Sequence, residues 1–259
     1  MSYIIKTELM KLKRCRILWA GIALMLLSVL LTLFTSIAND GSVWDFQYLT
    51  EQVIKNNMST IFPMCITLIA GYIISREQKD DTLKNILAIP ISFKKLLAGK
   101  LIVCALVSIL FGIACFAFTI IAEIFAGFPG FTFKLVVKAL FQITLENLFL
   151  YIAVLPIIVL TSRSSSGFLI GVIAAFVYGY GGMFAASNMT LANIYPITAS
   201  LGLIGYRSYD TAVHWNFMLC AMSITLMICA AVVLILLMGE VEPKKALRKA
   251  KYTVVKKGW

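Results

Sequence analysis

The sequence has few of the side chains that carry catalysis. Its 259 residues include one histidine, so the paired histidines of an H-E-x-x-H zinc site cannot form. No G-x-S-x-G nucleophile motif is present. The nearest approach to a nucleotide-binding Walker A lysine is Gly99-Lys100, but Leu101 stands where that loop needs Ser or Thr. We therefore expect a chain that is not an enzyme and that holds no cofactor or metal ion itself.

Charged residues are also scarce. They make up 14% of the chain, against about 25% in an ordinary soluble domain. Apolar residues reach 61%, which leaves too few polar side chains to cover the surface of a soluble fold. Disorder is excluded as well, because disordered chains have low hydrophobicity. The composition predicts an integral membrane protein.

Six apolar runs are each long enough to cross a bilayer, which takes about 20 residues. Such runs must be helical, because every backbone polar group in lipid needs an internal partner. We expect an all-α polytopic membrane protein with six transmembrane helices, and we treat residues 1–259 as a single transmembrane domain. The predicted spans are residues 17–38, 58–75, 101–128, 139–160, 167–187 and 217–238.

The positions of the basic residues predict the orientation of these spans. Of the 23 Lys and Arg residues, 19 fall in residues 1–16, in the second and fourth connections and in the C-terminal tail, and four fall in the three alternate connections. Cytoplasmic loops carry the excess of Lys and Arg, so both termini are predicted to be cytoplasmic. This topology accounts for the net charge of +11 without nucleic acid as a partner.

The connection between the second and third spans has the pattern of a short amphipathic helix on the cytoplasmic side. Asp80 or Asp81 can cap its N-terminus, and Pro90 ends it. Its apolar residues recur at helical spacing, and a helix of about two turns needs a surface to lie against. The pattern alone is equally consistent with a helix in the lipid headgroup layer and with one that docks on a cytoplasmic partner. The residues of the apolar stripe are Leu83, Ile86 and Leu87.

The N-terminal segment before the first span is also amphipathic. Ile5, Leu9 and Leu12 share one helical face, and the surrounding basic residues can reach the headgroups. We expect an interfacial helix that anchors the N-terminus to the membrane surface.

Two features inside the predicted spans are left with alternative roles. Glu146 and Asn147 are polar residues in the fourth span, where an acidic group is costly and usually faces protein or water. They line a substrate path or bond to a neighbouring helix. The fifth span is rich in glycine, which serves close helix packing or a hinge. These glycines are Gly167, Gly171, Gly179, Gly181 and Gly182.

The connection between the second and third spans carries a recognisable motif. It resembles the coupling-helix region of type-2 ATP-binding-cassette (ABC) exporter permeases, with Asp81 where that family usually has glycine. The opening residues Thr7-Glu8-Leu9-Met10-Lys11-Leu12-Lys13-Arg14 are similar to those of the short permeases linked to bacitracin and lantibiotic export or immunity. The residues that match the motif are Glu77, Thr82, Leu83, Ile86, Leu87, Pro90, Ile91, Ser92, Lys94, Gly99 and Lys100.

The resemblance implies one half of a dimeric exporter in a bacterial plasma membrane. Two copies of a separate ATPase would bind ATP and Mg²⁺, and the second permease half would be the same chain or a paralogue. The substrate would be an amphipathic peptide antibiotic, a lantibiotic or a lipid-like molecule, so the protein would serve antibiotic resistance. Residues 81–89 would seat in the ATPase, and the N-terminal helix would border it. The implied ATPase-coupling residues are Glu77, Asp80, Asp81, Thr82, Leu83, Ile86, Leu87 and Pro90, with Glu8, Leu9 and Leu12 as secondary contacts.

Two other classes of function remain as alternatives. A proton-coupled carrier could use Glu146 as its proton site and would need no ATPase. A membrane sensor or scaffold would not transport at all. Carriers often show inverted repeats and paired broken helices, and neither pattern is visible in the sequence.

Overall fold

The computed structural model describes residues 2–12, 16–37, 44–79, 92–162 and 167–237, and no strand occurs within these ranges. The helical class predicted from the apolar runs is therefore confirmed for this part of the chain. The coupling helix expected at residues 81–89 lies outside the described residues. The helices are α1 Ser2–Leu12, α2 Ile17–Ser36, α3 Phe46–Asn56, α4 Phe62–Lys79, α5 Phe93–Ala126, α6 Phe133–Thr161, α7 Gly167–Ala185, α8 Met189–Ile194, α9 Pro196–Leu203 and α10 Phe217–Leu237.

Five helices, α2, α5, α6, α7 and α10, are long and apolar enough to cross a membrane. The sixth candidate span is a bent pair, α3 and α4, whose axes differ by 49°. Helix α5 has 34 residues, or roughly 50 Å at 1.5 Å per residue, which exceeds the hydrocarbon thickness of about 30 Å. It begins eight residues before the predicted start at 101, and α6 extends from 133 to 161 beyond both predicted ends.

The second span differs most from its predicted bounds of 58–75. It begins at Phe46 and contains a π-helical turn, Asn57–Ile61, between α3 and α4. Single π turns inside helices mark insertions in the hydrogen-bond ladder and often coincide with bends. The side chain of Asp45 caps α3 by accepting a hydrogen bond from the backbone N–H of Tyr48 at 2.6 Å.

Helices α5 and α6 form the centre of the bundle. In their most apolar stretches, 44% and 50% of the residues are buried, against 22–28% of the residues in the corresponding stretches of α2, α7 and α10. The outer helices turn apolar side chains such as Leu30, Ile173 and Leu226 outward, as helices in contact with lipid do. We call the end of the bundle where α1 packs on α5 the α1 end, and the opposite end the α9 end.

Helix α9 is a buried plug at the α9 end. Every residue from Pro196 to Gly202 is buried, and α9 packs against α6, α7, α8 and α10. Proline at its first position has a φ angle suited to a helix start. Helix α9 is therefore enclosed by these neighbouring helices.

Candidate functional site

The α1 end is held by a buried ion pair between distant parts of the chain. Lys100 Nζ lies 3.2 Å from Glu8 Oε2, and both side chains are 4% exposed. Lys100 Nζ also donates a hydrogen bond to the backbone carbonyl of Ile73 at 2.9 Å. The other carboxylate oxygen of Glu8 accepts from Lys11 Nζ at 2.6 Å. One ammonium group thus joins α1, α4 and α5.

The face of α1 that packs on the bundle includes Ile5 and Leu12 of the predicted stripe and also Glu8. Glu8 and Leu12 are buried, whereas Leu9 is 38% exposed, so the inward face follows Ile4, Glu8 and Leu12 at a spacing of four residues. Gly99 on α5 admits this face, since a Cβ atom there would lie 2.6 Å from Ile4 Cγ2. The predicted Ile5–Leu9–Leu12 stripe missed the inward acidic residue because hydrophobic patterning does not anticipate a buried ion pair.

The predicted ATPase-coupling residues lie next to this junction along the chain. The backbone of Glu77 belongs to the last turn of α4. Residues 80–91, which include Asp80, Asp81, Thr82, Leu83, Ile86, Leu87 and Pro90, are outside the described ranges. Helix α5 resumes at Phe93, and Lys94 Nζ donates to the carbonyl of Leu236 at 2.8 Å. The helix that follows this segment, α5, thus contacts α10 through Lys94 and α1 through Gly99 and Lys100.

Glu146 and Asn147 bond to neighbouring elements in the centre of the bundle. Ser200 Oγ on α9 donates to Glu146 Oε1 at 2.7 Å, and Asn57 Nδ2 in the π turn donates to Asn147 Oδ1 at 2.6 Å. All four side chains are buried. Glu146 Oε2 and Asn147 Nδ2 have no hydrogen-bond partner among the described residues. The arrangement joins α6 to both the α9 plug and the bend of the second span.

The glycines of α7 lie where neighbouring elements approach closely. A Cβ atom on Gly179 would lie 2.6 Å from the carbonyl oxygen of Ser59 in the π turn. Helix α7 runs without interruption through Gly179–Gly182, so the bend occurs in the second span, directly opposite. The other close approaches are Gly171 to Thr161, Gly181 to Tyr195 and Gly182 to Ile197, while Gly167 is buried.

The α9 end carries a second charged network, centred on Glu51. Its carboxylate accepts from Gln47 at 3.2 Å and from the Tyr209 hydroxyl at 3.0 Å. Arg207 Nε lies 3.6 Å from Glu51 Oε2, and Arg207 Nη2 lies 3.2 Å from Asp210. Burial and the adjacent Glu51 raise the pKa of Tyr209 above its usual value, so its hydroxyl stays a donor at neutral pH. Sequence patterning singled out none of these residues.

A cavity of about 370 Å³ lies beside this network. We call it the cationic cavity, because Lys55 and Arg207 are its charged lining residues. Its other walls come from α3, the π turn, α7, α8, α9 and the loop before α10. They are Gln52, Met58, Met183, Ala186, Ser187, Met189, Leu201, Tyr206, Val213 and Trp215.

A second cavity, the apolar cleft, has a volume of about 310 Å³. It lies between α2, the bent span and α7, and none of its lining residues is charged. These residues are Leu24, Ile61, Met64, Cys65, Leu68, Val172 and Phe176.

The comparison with known families gives a match over most of this architecture. The family model described as "ABC-2 family transporter protein" matches residues 4–182. That range includes the junction of α1 with α4 and α5, residues 80–91, Glu146 and most of α7. No curated protein matches the chain.

Proposed function

The chain belongs to the ABC-2 family of transporter proteins, and on that basis we propose that it forms one half of an ATP-driven exporter in a bacterial plasma membrane. Membership makes it a multi-pass permease subunit of an ABC transporter, a class that works with an ATP-binding-cassette partner. In the proposed complex, two copies of the ATPase bind ATP and Mg²⁺. The second permease half is the same chain or a paralogue.

The observation that carries this proposal is the Glu8–Lys100 junction. Lys100 bonds α1 and α4 from its position on α5, and α4 and α5 are the helices between which residues 80–91 run. A displacement of a coupling helix at 81–89 would pass to α4 and α5 through the chain and to α1 through the ion pair. The junction supports a unit that moves as one body when the ATPase closes.

The proposed orientation places the α1 end in the cytoplasm. The 19 Lys and Arg residues of the predicted cytoplasmic segments support this side, because positively charged loops are retained there. Leu9, the exposed apolar residue of α1, is then available to border the ATPase. The carboxylate of Glu8 binds lysines of its own chain, so a partner would contact α1 through other atoms.

The proposed substrate is amphipathic. The apolar cleft between α2, the bent span and α7 supports a substrate whose apolar part enters the protein laterally from the bilayer. A hydrophilic solute from the cytosol would find no charged side chain in that cleft. The resemblance to bacitracin and lantibiotic permeases favours a peptide antibiotic, and the cleft is equally suited to a lipid-like molecule.

Purification of the tagged chain from its native membrane in mild detergent tests the proposal. We expect a stoichiometric soluble ATPase with a Walker A loop to copurify.

Leu83→Asp and Leu87→Asp place a charge in the apolar stripe and should abolish ATPase association, with membrane insertion unchanged. Asn85→Asp, off the stripe in the same segment, is the matched control. Undiminished complex in both leucine variants would refute docking through residues 81–89.

A proton-coupled carrier is a second candidate because Glu146 is buried with one unpartnered carboxylate oxygen. Transport that persists after ATP depletion, at a constant proton gradient, would favour the carrier. Transport that stops under the same conditions would favour the ATP-driven exporter.

A further inference from the structure

The cationic cavity is lined by two of the basic side chains at the α9 end. The sequence places four Lys and Arg residues in the connections of that end: Lys55, Lys134, Lys138 and Arg207. Two of the four line this one cavity, and no lining residue is acidic. Within the described ranges, Lys55 has no ion-pair partner. The cavity is therefore suited to a ligand with negative charge.

Arg207 has an unusual backbone conformation, which the contacts of its loop hold in place. Its φ angle is 48°, and no other non-glycine residue in the described ranges has a positive φ. Such a conformation is strained for an L-residue and persists where surrounding contacts impose it. The loop that carries it is fixed by hydrogen bonds from Trp215 Nε1 to the Tyr206 carbonyl at 2.6 Å and from the Tyr206 hydroxyl to the Glu51 carbonyl at 3.3 Å.

The carboxylates near Arg207 orient it and leave it accessible. Glu51 and Asp210 contact Nε and Nη2 of the guanidinium, and neither carboxylate lines the cavity. The Arg207 side chain remains 43% exposed. A guanidinium has five N–H donors in a fixed plane, so the N–H groups that are not directed at the two carboxylates can donate to the oxygen atoms of a phosphate group.

Most of the remaining cavity wall is apolar and adaptable. Met58, Met183 and Met189 supply flexible thioether side chains that fill irregular space, and Leu201 and Trp215 supply larger apolar surfaces. A volume of about 370 Å³ lies within the range of small-ligand sites, about 300–1,000 Å³. Cations beside an apolar wall are complementary to a molecule with an anionic head and a hydrocarbon tail.

We propose that the cationic cavity binds the phosphate headgroup of a membrane lipid, with Lys55 and Arg207 as its ligands and the methionine-lined wall against the start of the acyl chain. The site lies apart from the apolar cleft and needs no ATPase. With the α1 end in the cytoplasm, as proposed above, the lipid would belong to the outer leaflet. This choice of leaflet rests on the proposed topology, whereas lipid binding itself does not. A failure of lipid binding would thus leave the exporter proposal standing, and the reverse also holds.

Native mass spectrometry of the purified full chain, with dioctanoyl phosphatidic acid and dioctanoylglycerol as probes, tests the site. The variant pair is Lys55→Gln alone and Lys55→Gln with Arg207→Asn, since Asn tolerates the left-handed backbone. The matched control is Lys134→Gln with Lys138→Gln, which removes two charges at the same end but outside the cavity. We expect the phosphate-bearing probe to bind at least about tenfold more weakly to the double cavity variant, with an intermediate loss for Lys55→Gln and none for the control.

Three outcomes would overturn the proposal. Equal binding of dioctanoylglycerol would show that the cavity selects apolar chains without regard to phosphate. Equal losses in the cavity and control variants would reduce the effect to surface charge. Inorganic phosphate that displaces the lipid at comparable concentration would assign the site to free phosphate instead of a lipid headgroup.

Discussion

At each end of the bundle, a carboxylate and a basic side chain join distant segments, but the two ion pairs differ in burial. At the α1 end, Glu8 and Lys100 are both 4% exposed. At the α9 end, Glu51 is buried while Arg207 is 43% exposed beside an open cavity. Breaking a buried pair leaves an uncompensated charge in a low-dielectric interior, whereas an exposed pair is screened by water. We therefore expect the α1 end to depend on its charges and the α9 end to depend on packing.

The largest expected effect is at Glu8. Glu8→Leu removes the carboxylate that pairs with the buried Lys100 ammonium and should lower the free energy of unfolding by about 3–5 kcal/mol. The measurement is denaturant unfolding in detergent, together with hydrogen exchange of the α1 amides. Glu8→Leu with Lys100→Met should regain most of the loss, and Lys11→Met should cost less than about 1 kcal/mol. A double variant as unstable as the single one would disprove the pairing energy.

The next effect concerns packing in the α9 plug. A Cβ atom on Gly202 would collide with Cys220 Sγ and lie 2.9 Å from Trp215 Cε3. Gly202→Ala should therefore destabilise the protein by about 1–3 kcal/mol, measured by the same unfolding assay. Gly99→Ala is the control at the α1 end, where Ile4 can move with its short helix, and it should cost less. A greater loss for Gly99→Ala would reverse the proposed division between charge and packing.

A smaller effect is expected at Tyr209, which donates to the Glu51 carboxylate at 3.0 Å. Tyr209→Phe should cost about 1 kcal/mol, because Gln47 and Arg207 still serve that carboxylate. The exposed Tyr180 on α7 provides the control, as Tyr180→Phe should leave the unfolding free energy unchanged. A loss as large as that expected for Glu8→Leu would mean that stability depends on the Tyr209–Glu51 hydrogen bond as strongly as on the buried Glu8–Lys100 pair.

The smallest effect is expected at Arg207. Arg207→Gly removes half-exposed ion pairs worth about 0–1 kcal/mol and relieves a left-handed strain of about 1–2 kcal/mol, so its net effect on unfolding should be near zero. Arg207→Ala loses the same pairs and keeps the strain, so it should be about 1 kcal/mol less stable than the glycine variant. Equal stabilities of the two variants would show that the backbone of Arg207 is not strained.

The sequence predicted the features that depend on runs of one residue class. Five apolar helices and the helical class follow from hydropathy, and the membrane assignment is supported by the family match. The start of the second span was missed because Glu51, Gln52 and Lys55 lower the hydropathy of α3, although α3 packs against α2, α5 and α6. A scale that averages over a window cannot register which face of a helix is buried.

The features that the sequence did not predict depend on contacts between distant residues. Glu8 and Lys100 are 92 positions apart. Each matched a motif in its own part of the chain, and neither motif pairs the two residues. Lys55 and Arg207 entered only the orientation count. Their shared cavity arises from α3 and a loop more than 150 positions later, which no local pattern reports. The roles of Glu146, Asn147 and the glycines of α7 remain predictions.

The Glu8–Lys100 pair also constrains how this protein can change over generations. Loss of either charge alone is costly, while replacement of both by apolar residues of similar volume can be nearly neutral. A lineage must therefore cross a destabilised intermediate or change both codons close together in time. Across relatives that keep the α1–α5 contact, positions 8 and 100 should then vary as a correlated pair, and position 11, whose side chain is 47% exposed, should be less strongly correlated with them.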